Sequence, residues 1–366
     1  MNFGGLQPSM AKRTLRDGYK IMKNNHRGFV LIMTLTMISV LFIAVSFFSK
    51  WIENEVLFKN ERSETYQQII DKYNTLSTII YMVSTRPTTY SGIAFPQRVD
   101  NSYPLPIDSE ENMIRNAMGN ELKLDDSLYQ GIGSVLFSLQ DDYGLISVNE
   151  LTPKQISKLL DNDSNSSIDN QQRRLYPILR DYIDRDSHLR QDGAESTQYL
   201  QKGIIPPANH PLRTPEELMK VLEWKQLFPE KTFQKYQGHL TSTPNVTINL
   251  NTASREVMKI HGLSQQSIDK VIAFRQTQSI NINTVQKLLA PTELQNDGDN
   301  YLYFPSRSIR ISLLSGPTGQ IDQLYFSFAW VNEQSQPWLI RYKKTSVSSP
   351  KNHEHVNPTG QTLFDK

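Results

Sequence analysis

Cysteine is absent from the 366-residue chain, so neither a disulfide nor a thiolate metal site can stabilise it. Familiar catalytic patterns are missing as well. The sequence contains no Gly-x-Ser-x-Gly elbow, no His-Glu-x-x-His pair, no phosphate loop and no dinucleotide fingerprint. These absences favour a structural protein over an enzyme, and they leave its stability to a hydrophobic core or a bound ion.

Long apolar runs are also absent, with one exception. Residues 29–48 contain no charged side chain, and about 20 such residues match the roughly 30 Å hydrocarbon core of a bilayer. The preceding leader has six basic residues and one acid, a net charge of +5. The positive-inside rule therefore predicts a single membrane span, with residues 1–28 in the cytoplasm and the C-terminal domain on the other side.

Gly28 stands immediately before the apolar run, where cleavage would leave the membrane segment attached. A secretory signal peptide would instead have a shorter apolar core followed by its cleavage site. The junction resembles the leader of type IV pilins and pseudopilins. That resemblance implies that a prepilin peptidase cuts between Gly28 and Phe29, and that Phe29 is then N-methylated. An ordinary signal anchor that is never cut is the alternative.

Net charge argues against bulk capture of nucleic acid. The whole chain carries +2, so without the +5 leader the remainder is at −3. The part of the chain beyond the membrane segment, called the head below, is near neutral and slightly acidic. It therefore lacks the basic surface on which non-specific nucleic-acid binding depends.

Hydrophobic periodicity predicts the order of elements along the chain. The apolar run continues without glycine or proline to about Ser84, which predicts one helix of about 55 residues ending before Pro87. Strand-like segments follow near residues 135–148, a helical block runs from Thr152 to about Asn300, and strands return after residue 307. Thr152 and Thr214 each begin a sequence typical of a helix capping box.

This order predicts an α+β, type IV pilin-like fold whose antiparallel sheet is interrupted by a large inserted all-helical subdomain. The expected parts are a cytoplasmic leader (1–28), a transmembrane and amphipathic N-terminal helix (29–85), a first α+β part (86–150), a helical insertion (151–300), C-terminal strands (301–345) and a flexible tail (346–366). The insertion is expected to contain a helix-hairpin-helix-like unit at 246–290.

Several short motifs then resemble the minor pseudopilin K family of type II secretion systems, the general secretion pathway protein K family. They are Tyr143-Gly-Leu-Ile-Ser-Val-Asn149, Leu179-Arg-Asp-Tyr-Ile-Asp184, Gly193-Ala-Glu195, Pro207-Ala-Asn-His-Pro211 and Ile248-Asn-Leu-Asn-Thr-Ala-Ser254. The resemblance covers roughly residues 28–345. It implies a structural protein of the bacterial inner membrane with a periplasmic head. It also implies minor pseudopilins I and J, major pseudopilin G, the prepilin peptidase and the inner-membrane secretion platform as partners.

Met33 is the fifth residue after the predicted cleavage, where major pilins and pseudopilins have a glutamate. That glutamate pairs with the N-terminal ammonium of a neighbouring subunit inside lipid, where an unpaired charge costs several kcal/mol. A subunit without it suits the tip of a filament, and the protein K family shares this departure. A pilin-like protein that does not polymerise is the alternative.

Five carboxylates lie between residues 181 and 195: Asp181, Asp184, Asp186, Asp192 and Glu195. Counted from Asp184, acids occupy the first, third, ninth and twelfth places, as in a calcium-binding loop. His188 and Leu189 at the fifth and sixth places exclude the helix–loop–helix motif, which needs glycine at the sixth. The family resemblance implies calcium here, with Asp184, Asp186 and Glu195 as first candidates and Asp181 and Asp192 as weaker ones. The alternative is a solvated acidic loop paired with Arg180, Arg185 and Arg190.

The segment 248–275 looks like a helix-hairpin-helix module of the kind found in competence DNA receptors. Such modules hold a phosphate with the backbone amides of a Gly-hydrophobic-Gly hairpin. Here Gly262-Leu263 is followed by Ser264, and Lys259, Lys270 and Arg275 give only modest positive charge. We therefore expect a packing unit without the phosphate site. The alternative function is a membrane-anchored type IV minor pilin or DNA-binding protein of DNA uptake.

Overall fold

The computed structural model describes residues 27–94, 114–115, 121–160, 170–294, 301–315, 320–328, 338–347, 356–357 and 364. The chain divides into two compact units, Met1–Thr65 and Tyr66–Lys366. The predicted leader lies outside the described residues, apart from Arg27 and Gly28 at the start of the first helix.

Ten helices and thirteen strands are described. The helices are α1 (Arg27–Thr85), α2 (Pro153–Leu159), α3 (Asn170–Ile183), α4 (Ser196–Gln201), α5 (Trp224–Leu227), α6 (Glu230–Tyr236), α7 (Arg255–His261), α8 (Gln265–Arg275), α9 (Ile282–Leu288) and α10 (Pro291–Leu294). The strands are β1 (Thr88–Thr89), β2 (Gly92–Ile93), β3 (Ile114–Arg115), β4 (Leu122–Lys123), β5 (Asp125–Gln130), β6 (Leu136–Asp141), β7 (Ile146–Ser147), β8 (Leu240–Thr241), β9 (Ile248–Asn249), β10 (Tyr301–Leu302), β11 (Ser308–Ser315), β12 (Gln320–Phe328) and β13 (Trp338–Val347).

Helix α1 confirms the predicted continuous helix and ends at Thr85, just before Pro87. In the first unit its residues from Phe29 to Thr65 are all exposed. By length and composition α1 could cross a membrane, and no other helix in the described part of the chain could. A row of exposed apolar side chains with no charge from Phe29 to Ser49 is what a lipid-facing segment requires.

A five-stranded antiparallel sheet forms the centre of the second unit, in the order β13-β12-β11-β6-β5. Strands β6 and β11 are neighbours, with Leu139 opposite Ile311, although residues 142–307 separate them in sequence. The side chains of Phe137, Leu139 and Ile311 alternate into one core that also takes up Ile79 and Met82 of α1. The predicted α+β fold with a helical insertion between its strands is thus confirmed, but the insertion is not all-helical, since the two-residue strands β8 and β9 lie within it.

The second-unit part of α1 is attached to this sheet by polar contacts as well as by its apolar face. The amide of Ile132 donates to Thr75 Oγ1 at 3.0 Å, and Lys72 forms an ion pair with Asp322 of β12. Both contacts join residues far apart in sequence, so they fix the sheet against one face of the helix.

The helical insertion has a hydrophobic core of its own, built around Trp224, Phe228 and Leu175. The capping box at Thr152 is present, since Gln155 N donates to Thr152 Oγ1 and Thr152 N donates to Gln155 Oε1. The prediction of a second capping box at Thr214 is wrong. Pro215–Lys220 is a 3-10 helix without a side-chain cap, because Glu217 accepts a hydrogen bond from Arg213 N instead.

Short strands lie outside the segments that the sequence predicted to be strands. Residues 88–130 contain β1 to β5, of which β1, β2, β3 and β4 form a small sheet. Strand β7 pairs in parallel with β8, so that Ile146 lies opposite Leu240. A 3-10 turn at Asp142–Gly144 redirects the chain between β6 and β7.

Two residues of the predicted flexible tail contact the sheet. Asn357 N donates to Leu128 O at 2.8 Å and Gln130 N donates to Asn357 O at 3.3 Å, along the edge of β5. Phe364 is 5% exposed and stacks on Phe137, with ring centroids 5.2 Å apart. At these two points the C-terminal segment belongs to the folded head.

Candidate functional site

The acidic loop connects α3 to α4 and begins within the last turn of α3. Asp181 lies in that turn and is fully buried. Its Oδ2 accepts hydrogen bonds from Ala194 N at 3.0 Å and Arg190 N at 3.3 Å, and its Oδ1 accepts one from Arg190 Nη1 at 2.7 Å. Asp181 therefore joins both ends of the loop from a position inside the protein.

Arg190 bridges two of the predicted calcium ligands. Its Nη1 donates to Asp181 and also to Asp184, so one guanidinium nitrogen lies between two carboxylates. These hydrogen bonds, that with Asp184 first and that with Asp181 second, raise the pKa of Arg190 above its usual range. Arg180, by contrast, donates to Asn149 O at 3.0 Å and pairs with Glu150, outside the loop.

Carboxylate oxygens in the loop are incompletely paired. Glu195 is 6% exposed and caps α4, where the backbone amides of Ser196 and Gln198 are its nearest donors, but neither of its oxygens makes a hydrogen bond of good geometry. The buried Asp184 Oδ1 makes none. Burial raises the pKa of Glu195, and the charges of Asp181 and Asp184 raise it further. Buried carboxylate oxygens without donors are unfavourable unless a cation or water satisfies them.

Asp186 and Asp192, the remaining predicted ligands, are exposed. Asp186 Oδ1 accepts hydrogen bonds from His188 N at 2.8 Å and His188 Nδ1 at 3.1 Å, and the backbone hydrogen bond, followed by the side-chain one, lowers its pKa. Asp192 has a left-handed backbone with φ of 61° at the turn into Gly193.

The donor set of the loop fits calcium in chemistry, because Ca²⁺ takes six to eight oxygen ligands and favours carboxylates. Within the described ranges, however, no three acidic or histidine side chains are arranged to hold a metal ion. Arg190 Nη1 contacts one oxygen of Asp181 and one oxygen of Asp184 instead.

A second polar cluster, which the sequence did not reveal, lies between the sheet and the insertion. Asp141 is fully buried and accepts hydrogen bonds from Ser306 N, Asn249 Nδ2 and Thr252 Oγ1 at 2.8–3.0 Å. The neighbouring Asp142 accepts from Thr243 Oγ1, with Arg341 of β13 3.6 Å away. Burial, and after it the charge of Asp141, raises the pKa of Asp142 to about 6.

Arg310 of β11 completes this cluster from the sheet side. It is almost fully buried, donates to Gly238 O at 2.7 Å and pairs with Asp126 at 3.1 Å. An alternating strand sequence predicts a polar residue at position 310 but not its burial. The only sequence feature that pointed to this cluster was the Asp141-Asp142 pair, and such a pair is typical of an ordinary turn.

The hairpin of the helix-hairpin-helix-like unit has helix-capping geometry. Gly262 ends α7 with φ of 109°, and Ser264 caps α8 by accepting from Ser267 N. The backbone amide of Ser264, which stands in the place of the second hairpin glycine, donates to Glu293 Oε1 at 2.7 Å. Ser267 Oγ donates to the other oxygen of Glu293 at 2.6 Å. A carboxylate of this chain thus occupies the start of α8, where an anion is most favourably bound.

The other predicted positions lie on exposed parts of helices. Phe29 and Met33 are exposed on α1 in the first unit, and Lys259 and Lys270 are exposed on α7 and α8. The processing at Gly28 and Phe29 and the role of Met33 therefore stay predictions.

Comparison with known proteins identifies the segment that carries the acidic loop. Residues 135–245 match the family model described as type II secretion system (T2SS), protein K. Among solved structures, the chain is similar to one from the GspK-GspI-GspJ complex of the enterotoxigenic Escherichia coli type 2 secretion system. Sequence identity is 16% and the TM-score 0.39, over 61% of this chain and 84% of that chain. No curated protein matches the chain. The resemblance to type II secretion protein K drawn from the sequence is confirmed, and it is the segment 135–245 that carries it.

Proposed function

We propose that this chain, whose residues 135–245 form a type II secretion protein K domain, is a minor pseudopilin at the tip of the type II secretion pseudopilus. It would initiate or cap assembly for the export of folded proteins across the outer membrane. The observation that carries the proposal is that the matched segment begins with β6 and continues into the insertion that separates β6 from its neighbour β11, in an antiparallel sheet that packs on α1. The role is structural, and it requires no reaction by the protein itself.

Membrane anchoring follows from α1 in this proposal. The apolar residues from Phe29 to Phe48 would span the inner membrane, with the second unit in the periplasm. A prepilin peptidase would cut between Gly28 and Phe29, and Phe29 would be N-methylated. Cleavage at this point keeps the membrane segment on the mature protein.

A position at the tip is supported by two properties of the chain. Met33 offers no carboxylate to the N-terminal ammonium of another subunit, so nothing is left unpaired in lipid at a filament end. The helical insertion adds a second hydrophobic core to the head, and a head enlarged in this way is easier to place at an end than in a repeating shaft. Minor pseudopilins I and J would be its direct partners, with major pseudopilin G below and the inner-membrane platform at the base.

Calcium binding is part of the proposal. Asp184, Asp186 and Glu195 would supply the first ligands, with Asp181 and Asp192 as the weaker candidates, and the buried Asp184 Oδ1, which makes no hydrogen bond, supports this choice. Bound calcium would neutralise the carboxylates and fix the loop between α3 and α4. Calorimetry on the full-length protein in detergent should show binding heat that Asp184→Ala and Glu195→Ala remove. Asp269→Ala, an exposed acid on α8, is the matched control and should leave it unchanged.

The proposed function is tested by recovering partners from cells that contain the protein. Full-length tagged protein, solubilised in detergent, should retain pseudopilins I and J, identified by mass spectrometry. Recovery of competence or type IV pilus proteins without any pseudopilin would contradict the proposal and favour DNA uptake. The same purification from cells expressing an unrelated single-pass protein controls for detergent carry-over.

A further inference from the structure

We propose that a cavity between the small sheet and α8, called the Arg275 cavity below, binds a carboxylate group. It has a volume of about 220 Å³ and is lined by no residue of the acidic loop or of the hairpin. The polar residues around it come from both the strands and the helical insertion, and they include Ser91, Lys123, Asp125, Arg275 and Gln276. This site is independent of the proposed function, which assigns no ligand to the cavity.

Hydrogen bonds to the backbone hold the guanidinium of Arg275 in place. Its Nη1 donates to Ala253 O at 2.6 Å and to Leu250 O at 3.1 Å, so both hydrogens of that nitrogen are used. Asn251, which also lines the cavity, is fixed in turn by donating to Ile280 O at 2.8 Å. The walls are therefore set before a ligand arrives, and such preorganisation lowers the cost of binding.

The second terminal nitrogen of Arg275 has no hydrogen-bond acceptor among the described residues. Asp125 Oδ2 lies 3.9 Å from Nη2, which is too far for a hydrogen bond. The other oxygen of Asp125 accepts from Ser127 N at 3.2 Å, so this carboxylate is held by its own turn. Arg275 Nη2 can therefore donate to an oxygen that another molecule supplies.

The charged residues of the cavity have an excess of positive charge. Two cations, Lys123 and Arg275, against one acid, Asp125, leave a net charge of +1. Lys123 is exposed and forms no ion pair with another residue that the structure describes. The C-terminal end of α8 also lies here, but its partial charge of about −0.5 reduces the excess without reversing it. An anion is therefore favoured over a neutral or cationic group.

Size and charge select a carboxylate among anions. A volume of about 220 Å³ is below the roughly 300–1,000 Å³ of pockets for drug-sized ligands, so the cavity fits a small group. A carboxylate carries one negative charge, which matches the excess, whereas a phosphate group carries nearly two. Ile272 adds a partly buried apolar side chain against which the carbon next to the carboxylate can pack. An acidic side chain of another protein and a free carboxylic acid offer the same group.

Propionate, which has the carboxylate of an acidic side chain without its backbone, tests the site in the full-length protein in detergent. We expect propionate to raise the melting temperature in a saturable way at constant ionic strength, and propionamide, its uncharged isostere, to have no effect. Lys123→Gln should raise the Kd for propionate about tenfold, the scale of one charge-assisted hydrogen bond. Lys231→Gln, which removes an exposed lysine of α6, is the matched control and should leave the Kd unchanged.

A readout on the wild-type protein avoids dependence on the folding of a variant. Reductive methylation labels accessible lysines, and mass spectrometry reports each site separately. Propionate should slow the methylation of Lys123 more than propionamide does, and it should leave that of Lys231 unchanged.

A carbodiimide, which joins an amine to a carboxylate in contact with it, distinguishes the two sources of the group. In protein purified with its partners, a cross-link from Lys123 to an acid of another protein would identify an acidic side chain as the ligand. Absence of that cross-link, with propionate bound through Lys123, would identify a free carboxylic acid.

Equal responses to propionate and propionamide, or the same Kd for propionate in Lys123→Gln and the wild type, would overturn the proposal. So would a cross-link from Lys123 to an acid of this chain outside residues 121–125, because the protein would then fill the cavity itself. None of these results bears on the recovery of pseudopilins I and J, so failure here would leave the proposed function standing.

Discussion

The carboxylate of Asp181 lies against the Cα of Gly193, so closely that a methyl group at Gly193 would overlap Asp181 Oδ2. The two residues belong to opposite ends of the acidic loop. Asp181 cannot move aside easily, because Ala194 N and Arg190 both donate to it and because it is fully buried. The loop therefore requires a residue without a side chain at position 193.

Gly193→Ala is expected to destabilise the protein by about 1–3 kcal/mol, the usual cost of overpacking a buried site. Urea unfolding of the full-length protein in detergent, followed by tryptophan fluorescence, measures the change. Gly238→Ala is the matched control, since nothing lies within 4 Å of a Cβ built there. Equal stability of the two variants would mean that the contact between Asp181 and Gly193 is not maintained in solution.

Asp142 should make stability depend on pH. Its pKa is raised to about 6 in the folded protein from an ordinary value of 3.8, mainly by burial. The folded state therefore takes up the proton first, and this group adds stability as the pH falls from about 6 to about 4. Relative to Asp142→Asn, which cannot titrate, the free energy of unfolding of the wild type should rise by up to about 3 kcal/mol over that range.

Unfolding measured at several pH values between 4 and 8 checks this expectation. Glu230→Gln, an exposed residue at the start of α6, is the control and should run parallel to the wild type. A constant difference between the wild type and Asp142→Asn across the range would contradict the raised pKa.

Phe364 should contribute to stability despite its place two residues from the end of the sequence. Removing a buried aromatic ring costs about 3 kcal/mol or more, so Phe364→Ala should unfold at distinctly lower urea concentration. It should also expose the C-terminal segment to limited proteolysis. Val356→Ala, a partly exposed residue of the same segment, should have a small effect. Similar losses in the two variants would show that Phe364 is not anchored on Phe137.

The hairpin between α7 and α8 should not bind DNA. The Ser264 amide is already engaged by Glu293, and the chain beyond the leader has no excess of positive charge. A gel shift with the full-length protein in detergent at 50 mM salt should show no complex, and the double variant Lys259→Ala/Lys270→Ala should behave identically. A complex that disappears in the double variant would favour the DNA-uptake alternative.

Met33 provides a test of the proposed tip position. Met33→Glu introduces a carboxylate that finds no ammonium at a filament end, so it should reduce both the recovery of pseudopilins I and J and the export of proteins into the medium. Met33→Leu keeps the apolar character and is the control. Full export with the glutamate variant would argue for a position within the shaft.

Sequence and structure agree where the physical cause is local. The uninterrupted α1, its end before Pro87 and the capping box at Thr152 depend on neighbouring residues, and all three appear where they were predicted. The C-terminal strands were predicted from alternation, and β11, β12 and β13 cover those segments. In the acidic loop the residue types predicted a site, but not that Arg190 would bridge Asp181 and Asp184.

The sequence by itself determined the apolar run behind a basic leader, the broad order of long helix, strands, helical block and C-terminal strands, and the five acids between residues 181 and 195. Each follows from composition and spacing along the chain. The tertiary structure decided that β6 lies beside β11, that Arg310 and Asp141 are buried, and that Phe364 enters the core. These outcomes depend on contacts between residues more than a hundred positions apart, and the free energy of burial and pairing is set only when the folded chain brings them together.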